Sequence, residues 1–245
     1  KLTSKGYRWL GTVGIPTDRL PEQTKIAISE KLAKDCRCDS VLPSDPTFQG
    51  HYKNVCKQIL WPTIQYQMPD NPNPKAFEDH SWEFYKKLNQ DFAKKVFETY
   101  QEGDTIWVHD YPLFLLPKMI RELLPNAKIG FFLHVSFPSS ELFKCFAQRV
   151  FLLDGILGAN FIGFQTDEYC RHFGQTCNKL LLADISNNEI RYKGSITHIA
   201  ASPVGIEAKC LTEEIHTSPE IKSWKQMIRE RWTKDTKLIV GRDKF

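Results

Sequence analysis

The chain has 245 residues, 33 of them Lys or Arg and 29 Asp or Glu, for a formal net charge of +4. That excess is too small for a nucleic-acid footprint, and 41% hydrophobic with 25% charged residues is the composition of a folded globular protein rather than a disordered one. No apolar run approaches the ~18 residues of a membrane helix, and the opening Lys1-Leu-Thr-Ser-Lys5 lacks the apolar stretch of a secretory signal, so a cytoplasmic protein with no membrane partner is expected.

In chain order, a short strand is expected over 7–10, a helix over 22–33, a strand over 38–42 and a helix over 52–60. A loop with three prolines follows, Met68-Pro-Asp-Asn-Pro-Asn-Pro74, which suits neither a helix nor a central strand. Phe84, Leu88, Phe92 and Val96 then recur every four residues, with Tyr85, Phe97 and Tyr100 beside them. Lys86, Lys87, Asn89, Asp91, Lys94 and Lys95 fill the opposite, solvated face of this long helix. Thr105-Ile-Trp-Val108 reads as a strand after a Glu-Gly-Asp turn. A helix over 114–124 leads to a second apolar strand over 128–133. Pro138-Ser-Ser-Glu141 opens another helix with a serine cap and an acidic first turn.

Phe161-Ile-Gly-Phe164 is a third apolar strand, and Thr166-Asp-Glu168 caps a helix running to about residue 182. Two strands near 190–192 and 196–201 come next, then a connection over 211–219. Ser218-Pro219-Glu220 starts a last helix with a cap and proline at the first helical position, and 237–240 reads as a final strand. Strand and helix alternate through the middle, which predicts an α/β fold, a Rossmann-like parallel sheet with helices on both faces. The seven cysteines are an odd number without zinc spacing. They read as reduced thiols, and no metal site is expected.

In such sheets ligands bind at the carboxyl ends of the strands. His109-Asp110-Tyr111-Pro112 follows the first strand of the alternation, and His134-Val-Ser-Phe-Pro138 follows the second. Asp110 and His134 are thus delivered to one rim, where they can grip sugar hydroxyls or polarise a leaving group. Equally open from spacing alone, a histidine here hydrogen-bonds a loop backbone and Asp110 caps a helix. Tyr66 and Trp82 flank the proline-rich loop, as a sugar-stacking pair or as core packing. The chain has no G-x-G-x-x-G, Walker lysine loop or G-x-S-x-G.

Trp61-Pro-Thr-Ile-Gln-Tyr66, Trp107-Val-His-Asp-Tyr111, Gly130-Phe-Phe-Leu-His-Val-Ser-Phe-Pro-Ser-Ser-Glu141, Gly163-Phe-Gln-Thr166, Arg171-His-Phe173 and Pro203-Val-Gly-Ile206 occur in the order seen in trehalose-6-phosphate synthases. The resemblance spans nearly the whole chain. It implies the N-terminal domain of a GT-B fold, truncated, with residues 1–207 as an acceptor-side domain. Residues 208–245 would then hold the connection and the start of a nucleotide-sugar domain. It implies retaining transfer of glucose from UDP-glucose to glucose 6-phosphate with no metal and no other cofactor. Tyr66 and Trp82 would hold the acceptor, Asp110 and His134 would contact the glucosyl group, and Lys244 would stand where the family keeps a diphosphate-binding arginine.

Three departures accompany the match. Pro112 replaces the second histidine of His-Asp-Tyr-His-Leu, Thr12 replaces a cleft tryptophan of Trp-x-Gly-Trp, and Lys244 replaces the arginine of Val-Asp-Arg-Leu-Asp-Tyr. Lysine keeps the charge and loses the planar fork. The family's glycine-rich N-terminal loop is expected to lie before Lys1. In these departures the chain resembles the non-catalytic regulatory subunits of the fungal trehalose synthase complex. Such a subunit would have the complex's other subunits as partners and would retain glucose 6-phosphate or trehalose 6-phosphate as a sensed ligand. An active synthase and the synthase-like part of the phosphatase subunit are the alternatives.

Overall fold

A computed structural model describes residues 6–67, 79–232 and 236–237. The proline-rich loop at 68–74, Lys244 and all but Lys237 of the strand expected over 237–240 lie outside the described residues. The chain divides after Pro203 into two units, Lys1–Pro203 and Val204–Phe245.

The first unit opens with β1 (Trp9–Thr12), α1 (Glu22–Cys36) and β2 (Cys38–Val41), followed by α2 (Asp45–Phe48), a π-helix (Gln49–Leu60), α3 (Trp61–Ile64) and α4 (Asp79–Thr99). Next come β3 (Thr105–His109), a 3₁₀ turn (Tyr111–Leu113), α5 (Leu116–Leu123), β4 (Lys128–Phe132), α6 (Ser140–Phe143) and α7 (Arg149–Ile156). It closes with β5 (Phe161–Phe164), α8 (Asp167–Leu181), β6 (Asp184–Ser186), β7 (Glu189–Tyr192) and β8 (Ser195–Ala201). Strands β1 and β2 form a parallel pair, and the other six form one sheet in the order β3-β4-β5-β8-β7-β6. Its first four strands are mutually parallel, and β7 and β6 are antiparallel additions. This is the α/β, parallel-dominated sheet that the strand–helix alternation predicts.

Local chemistry explains most boundaries. Thr166 accepts the Tyr169 N–H at 3.3 Å and caps α8 as expected. The helix expected over 52–60 is longer and wider. Its hydrogen bonds reach five residues back, as from the Trp61 N–H to the Cys56 carbonyl, and Pro62 brings no N–H to extend the ladder. Ser139 stands at the start of α6 but its side chain makes no capping bond, which corrects the expected serine cap. The exposed three-residue β6 was not expected. It is turned into β7 by Asn187 and Asn188, both at positive φ, as a two-residue hairpin requires.

The pleat sorts the six-stranded sheet into two faces. Val108, Ile129, Phe131, Ile162, Phe164 and Ile199 point to one and are buried, with Phe114 and α5 against Phe131 and Phe173 of α8 against Phe164. Helix α7 packs on both α5 and α8. The other face carries Trp107, Gly130 and Phe161 in one cross-strand row, with Trp107 60% and Phe161 44% exposed. On α4, Tyr85, Leu88 and Phe92 are core as expected. Asn89, assigned to the solvated face by its polarity, is fully buried instead, because its amide answers carbonyls beneath it. All seven cysteines are free, with Cys56, Cys170 and Cys177 buried.

The second unit holds α9 (Ala208–Thr217) and α10 (Pro219–Arg231). Ser218 caps α10 by accepting the Ile221 N–H at 3.4 Å, with Pro219 in the first turn as predicted. Most of the expected connection over 211–219 is helical, and neither helix buries a residue. Among the described residues no helix is long and apolar enough to cross a membrane.

Candidate functional site

The in-register pairing of His109 with Phe132 brings the carboxyl ends of β3 and β4 to one rim. The Asp110 N–H donates to the Phe132 carbonyl at 2.8 Å, and the Asp110 carboxylate accepts the His134 N–H at 3.1 Å. The predicted pair therefore meets, through side chain and backbone rather than side chain to side chain. Asp110 has φ 69° and ψ 170°, a conformation that favours glycine and costs a residue with a Cβ on the order of 1–3 kcal/mol. Its side chain caps no helix. Burial raises the Asp110 carboxyl above the usual range, against the lowering effect of the His134 and Tyr111 N–H groups and the two neighbouring histidines.

His109 completes the cluster. Its Nδ1 lies 3.0 Å from His134 Nε2, and the rings stack at 5.3 Å between centroids. Burial lowers the His109 pKa, and the adjacent His134 lowers it further, against the pull of Asp110. Two imidazoles at this distance share one proton along the N···N line, so one donates to the lone pair of the other. The Trp107 ring flanks His109 at 4.9 Å and the Phe132 ring flanks His134 at 4.7 Å. The Gln165 amide holds the His134 carbonyl at 3.4 Å. A carboxylate with spare lone pairs beside a rigid imidazole pair suits recognition of hydroxyl groups.

Tyr66 reaches the loop after β4. It adopts φ 57° just beyond α3 and is 59% exposed, and its hydroxyl accepts the Ser139 N–H at 2.8 Å. The Ser136 hydroxyl donates to the Ile64 carbonyl at 3.0 Å, a second tie between the same segments. Trp82 takes a different position. It is partly buried on α4 and stacks on Tyr85 at 5.2 Å with 14° between planes. Lys244 lies outside the described residues. Among the described residues no three His, Cys, Asp or Glu side chains gather as metal ligands would.

One feature of the rim escaped the sequence reading. Lys57 Nζ lies 5.2 Å from the Tyr52 ring centroid, 5.0 Å from Trp61 and 6.0 Å from Tyr111, so it touches two of the resemblance motifs. The signal was the four-residue spacing of Lys57 and Trp61 along a helix. Of the departures, Thr12 ends β1 opposite Val41 and Pro112 lies within the 3₁₀ turn after Asp110.

The family model of glycosyltransferase family 20 matches residues 2–245. The chain is 55% identical over 245 residues to a Saccharomyces cerevisiae protein named trehalose synthase complex regulatory subunit TPS3, covering 100% of this chain and 23% of that protein. It is 35% identical over 243 residues to the UDP-forming alpha,alpha-trehalose-phosphate synthase of Schizosaccharomyces pombe, covering 98% of this chain and 46% of that one. Among solved structures, the N-terminal domain of Candida albicans trehalose-6-phosphate phosphatase superposes with a TM-score of 0.76 at 29% identity, covering 92% of this chain and 56% of that one. The chain thus spans from about a quarter to just under half the length of these two curated relatives.

Proposed function

The chain belongs to glycosyltransferase family 20, and from that premise we propose that it is part of a non-catalytic regulatory subunit of a trehalose synthase complex. The observation that carries the reading is the 55% identity over all 245 residues of this chain to a protein named as such a subunit, against 35% to a named synthase. Pro112, Thr12 and Lys244 at positions where the resemblance implies histidine, tryptophan and arginine support it. Its partners are the other subunits of the synthase and phosphatase complex, in the cytoplasm. Residues 1–207 form the acceptor-side domain, and 208–245 begin the nucleotide-sugar domain.

The rim of Asp110, His134 and Tyr66 binds a sugar phosphate, glucose 6-phosphate or trehalose 6-phosphate, without turnover. Asp110 and His134 hold sugar hydroxyls, Tyr66 and Trp82 define the acceptor side, and Lys244 takes the sequence position of the family's diphosphate-binding arginine. Retention of Asp110 and His134 favours one second reading, an active synthase transferring glucose from UDP-glucose to glucose 6-phosphate.

Calorimetric titration of both ligands into the full-length protein, with a synthase assay, separates the two. The expected result is glucose 6-phosphate binding that Tyr66→Ala abolishes, with no trehalose 6-phosphate formed. Turnover would overturn the regulatory reading. Absence of binding by either ligand would overturn the sensing role and leave a scaffold.

A further inference from the structure

The 3₁₀ turn Tyr111–Leu113 directly follows Asp110, and three buried polar side chains converge on two of its carbonyls. The Tyr85 hydroxyl donates to the Tyr111 carbonyl at 2.7 Å and accepts the Phe114 N–H at 3.3 Å. His51 Nε2 lies 2.8 Å from the Pro112 carbonyl, and Asn89 Nδ2 donates to that same oxygen at 3.1 Å and to the Tyr85 carbonyl at 2.9 Å. His51, Tyr85 and Asn89 are all buried, and the His51 ring stacks on Tyr85 at 4.9 Å with 11° between planes.

The proton positions follow from the partners. A carbonyl only accepts, so His51 Nε2 carries the hydrogen and Nδ1 keeps its lone pair toward the Cys56 thiol 3.9 Å away. Both Asn89 partners are carbonyls, so its amide nitrogen must face them, and its Oδ1 finds no partner among the described residues. Burying three polar side chains, one of them incompletely satisfied, costs more than apolar packing of the same shape. Pro112 fits this arrangement because it has no N–H to place and offers only the carbonyl that His51 and Asn89 take.

We propose that His51, Tyr85 and Asn89 are positioning residues for Asp110. By gripping the turn from below they hold Asp110 at positive φ, and so keep its carboxylate on the His134 N–H and aimed at the rim. Without the grip Asp110 relaxes to an ordinary extended conformation and the carboxylate leaves that N–H. The consequence for ligand binding rests on the sugar-phosphate reading above, while the backbone consequence does not.

Two cycles in the full-length protein test this. In the first, His51→Phe keeps the ring and removes the N–H. It is expected to weaken glucose 6-phosphate binding tenfold or more when Asp110 is present and not at all in an Asp110→Asn background, while His51→Gln, which can still donate, restores most of the affinity. Equal weakening in both backgrounds would overturn the proposal, since a purely structural loss does not depend on Asp110. The second cycle needs no ligand. Asp110→Gly relieves the positive φ and is expected to raise the melting temperature of the parent, and that gain vanishes in His51→Phe. An undiminished gain would overturn the proposal even if no sugar phosphate binds. Should His51→Phe fail to fold, Tyr85→Phe, which removes one grip and keeps the stack, carries both cycles with the same outcomes.

Discussion

On one face of the six-stranded sheet Val108, Ile129, Phe131, Ile162 and Phe164 are buried, whereas on the other Trp107 and Phe161 stand open. Both faces are built from alternate residues of the same apolar strands. The difference teaches where stability and function divide. The packed face supplies the buried area that folds the unit, and the grip on the turn after β3 comes from the π-helix and α4. The other face leaves Trp107 and Phe161 open, and Trp107 and the buried Phe132 reach the histidine pair from it.

The comparison breaks most readily at Phe131. Phe131→Ala is expected to cost about 3–5 kcal/mol in urea unfolding. A cost no larger than that of Trp107→Ala would mean the two faces are equivalent.

Acid sharpens the contrast. Burial pulls His51 down to about 4, against the raising effect of its bond to the Pro112 carbonyl. The unfolded chain takes up that proton below about pH 6.5 and the folded one does not until about pH 4, so stability is full above the first value and is lost as pH falls toward the second. The loss is on the order of 3 kcal/mol, and urea midpoints between these two pH values should show that much less slope in His51→Gln.

A smaller effect is expected on the bare face at Gly163, where an added Cβ would meet Phe132 Cδ2 at 2.5 Å. Because that ring is itself buried, it must shift against its neighbours, and Gly163→Ala should cost about 1–2 kcal/mol by urea unfolding. The displaced Phe132 ring, which lies 4.7 Å from the His134 ring, should then report as a changed rate of His134 carbethoxylation. The smallest expected effect is that of Trp107→Ala, within about 0.5 kcal/mol by the same unfolding assay.

The parallel strands and their rim were legible because each apolar run ends in a polar motif, as at His109-Asp110 and His134, and because Thr166 and Ser218 are strong caps. What was not legible shares a physical cause. Asn89 looked like a surface residue because polarity alone marks the solvated side of a helix, and only the tertiary contact with the Pro112 carbonyl shows why it is inside. His51 was silent for the same reason. Helix α9 has Leu211 and Ile215 one turn apart, but Glu207 at its start makes no side-chain capping bond, so no cap separates it from a connection. Strand β6 is short and exposed along its whole length, and the Asn187-Asn188 pair was its only signal.

The strand order also sets a timetable. β8, the last strand of the unit to leave the ribosome, lies between β5 and β7 rather than at an edge. The parallel trio β3, β4 and β5 can pair early, and β6 can fold back on β7 alone, but neither piece closes the sheet. Closure waits for β8 to join both, a pairing distant in sequence on the β5 side and therefore slow. Ile199, buried in β8 opposite Ile162, is thus the position at which truncation should delay folding of the whole unit, leaving partly paired chains exposed to aggregation for longer.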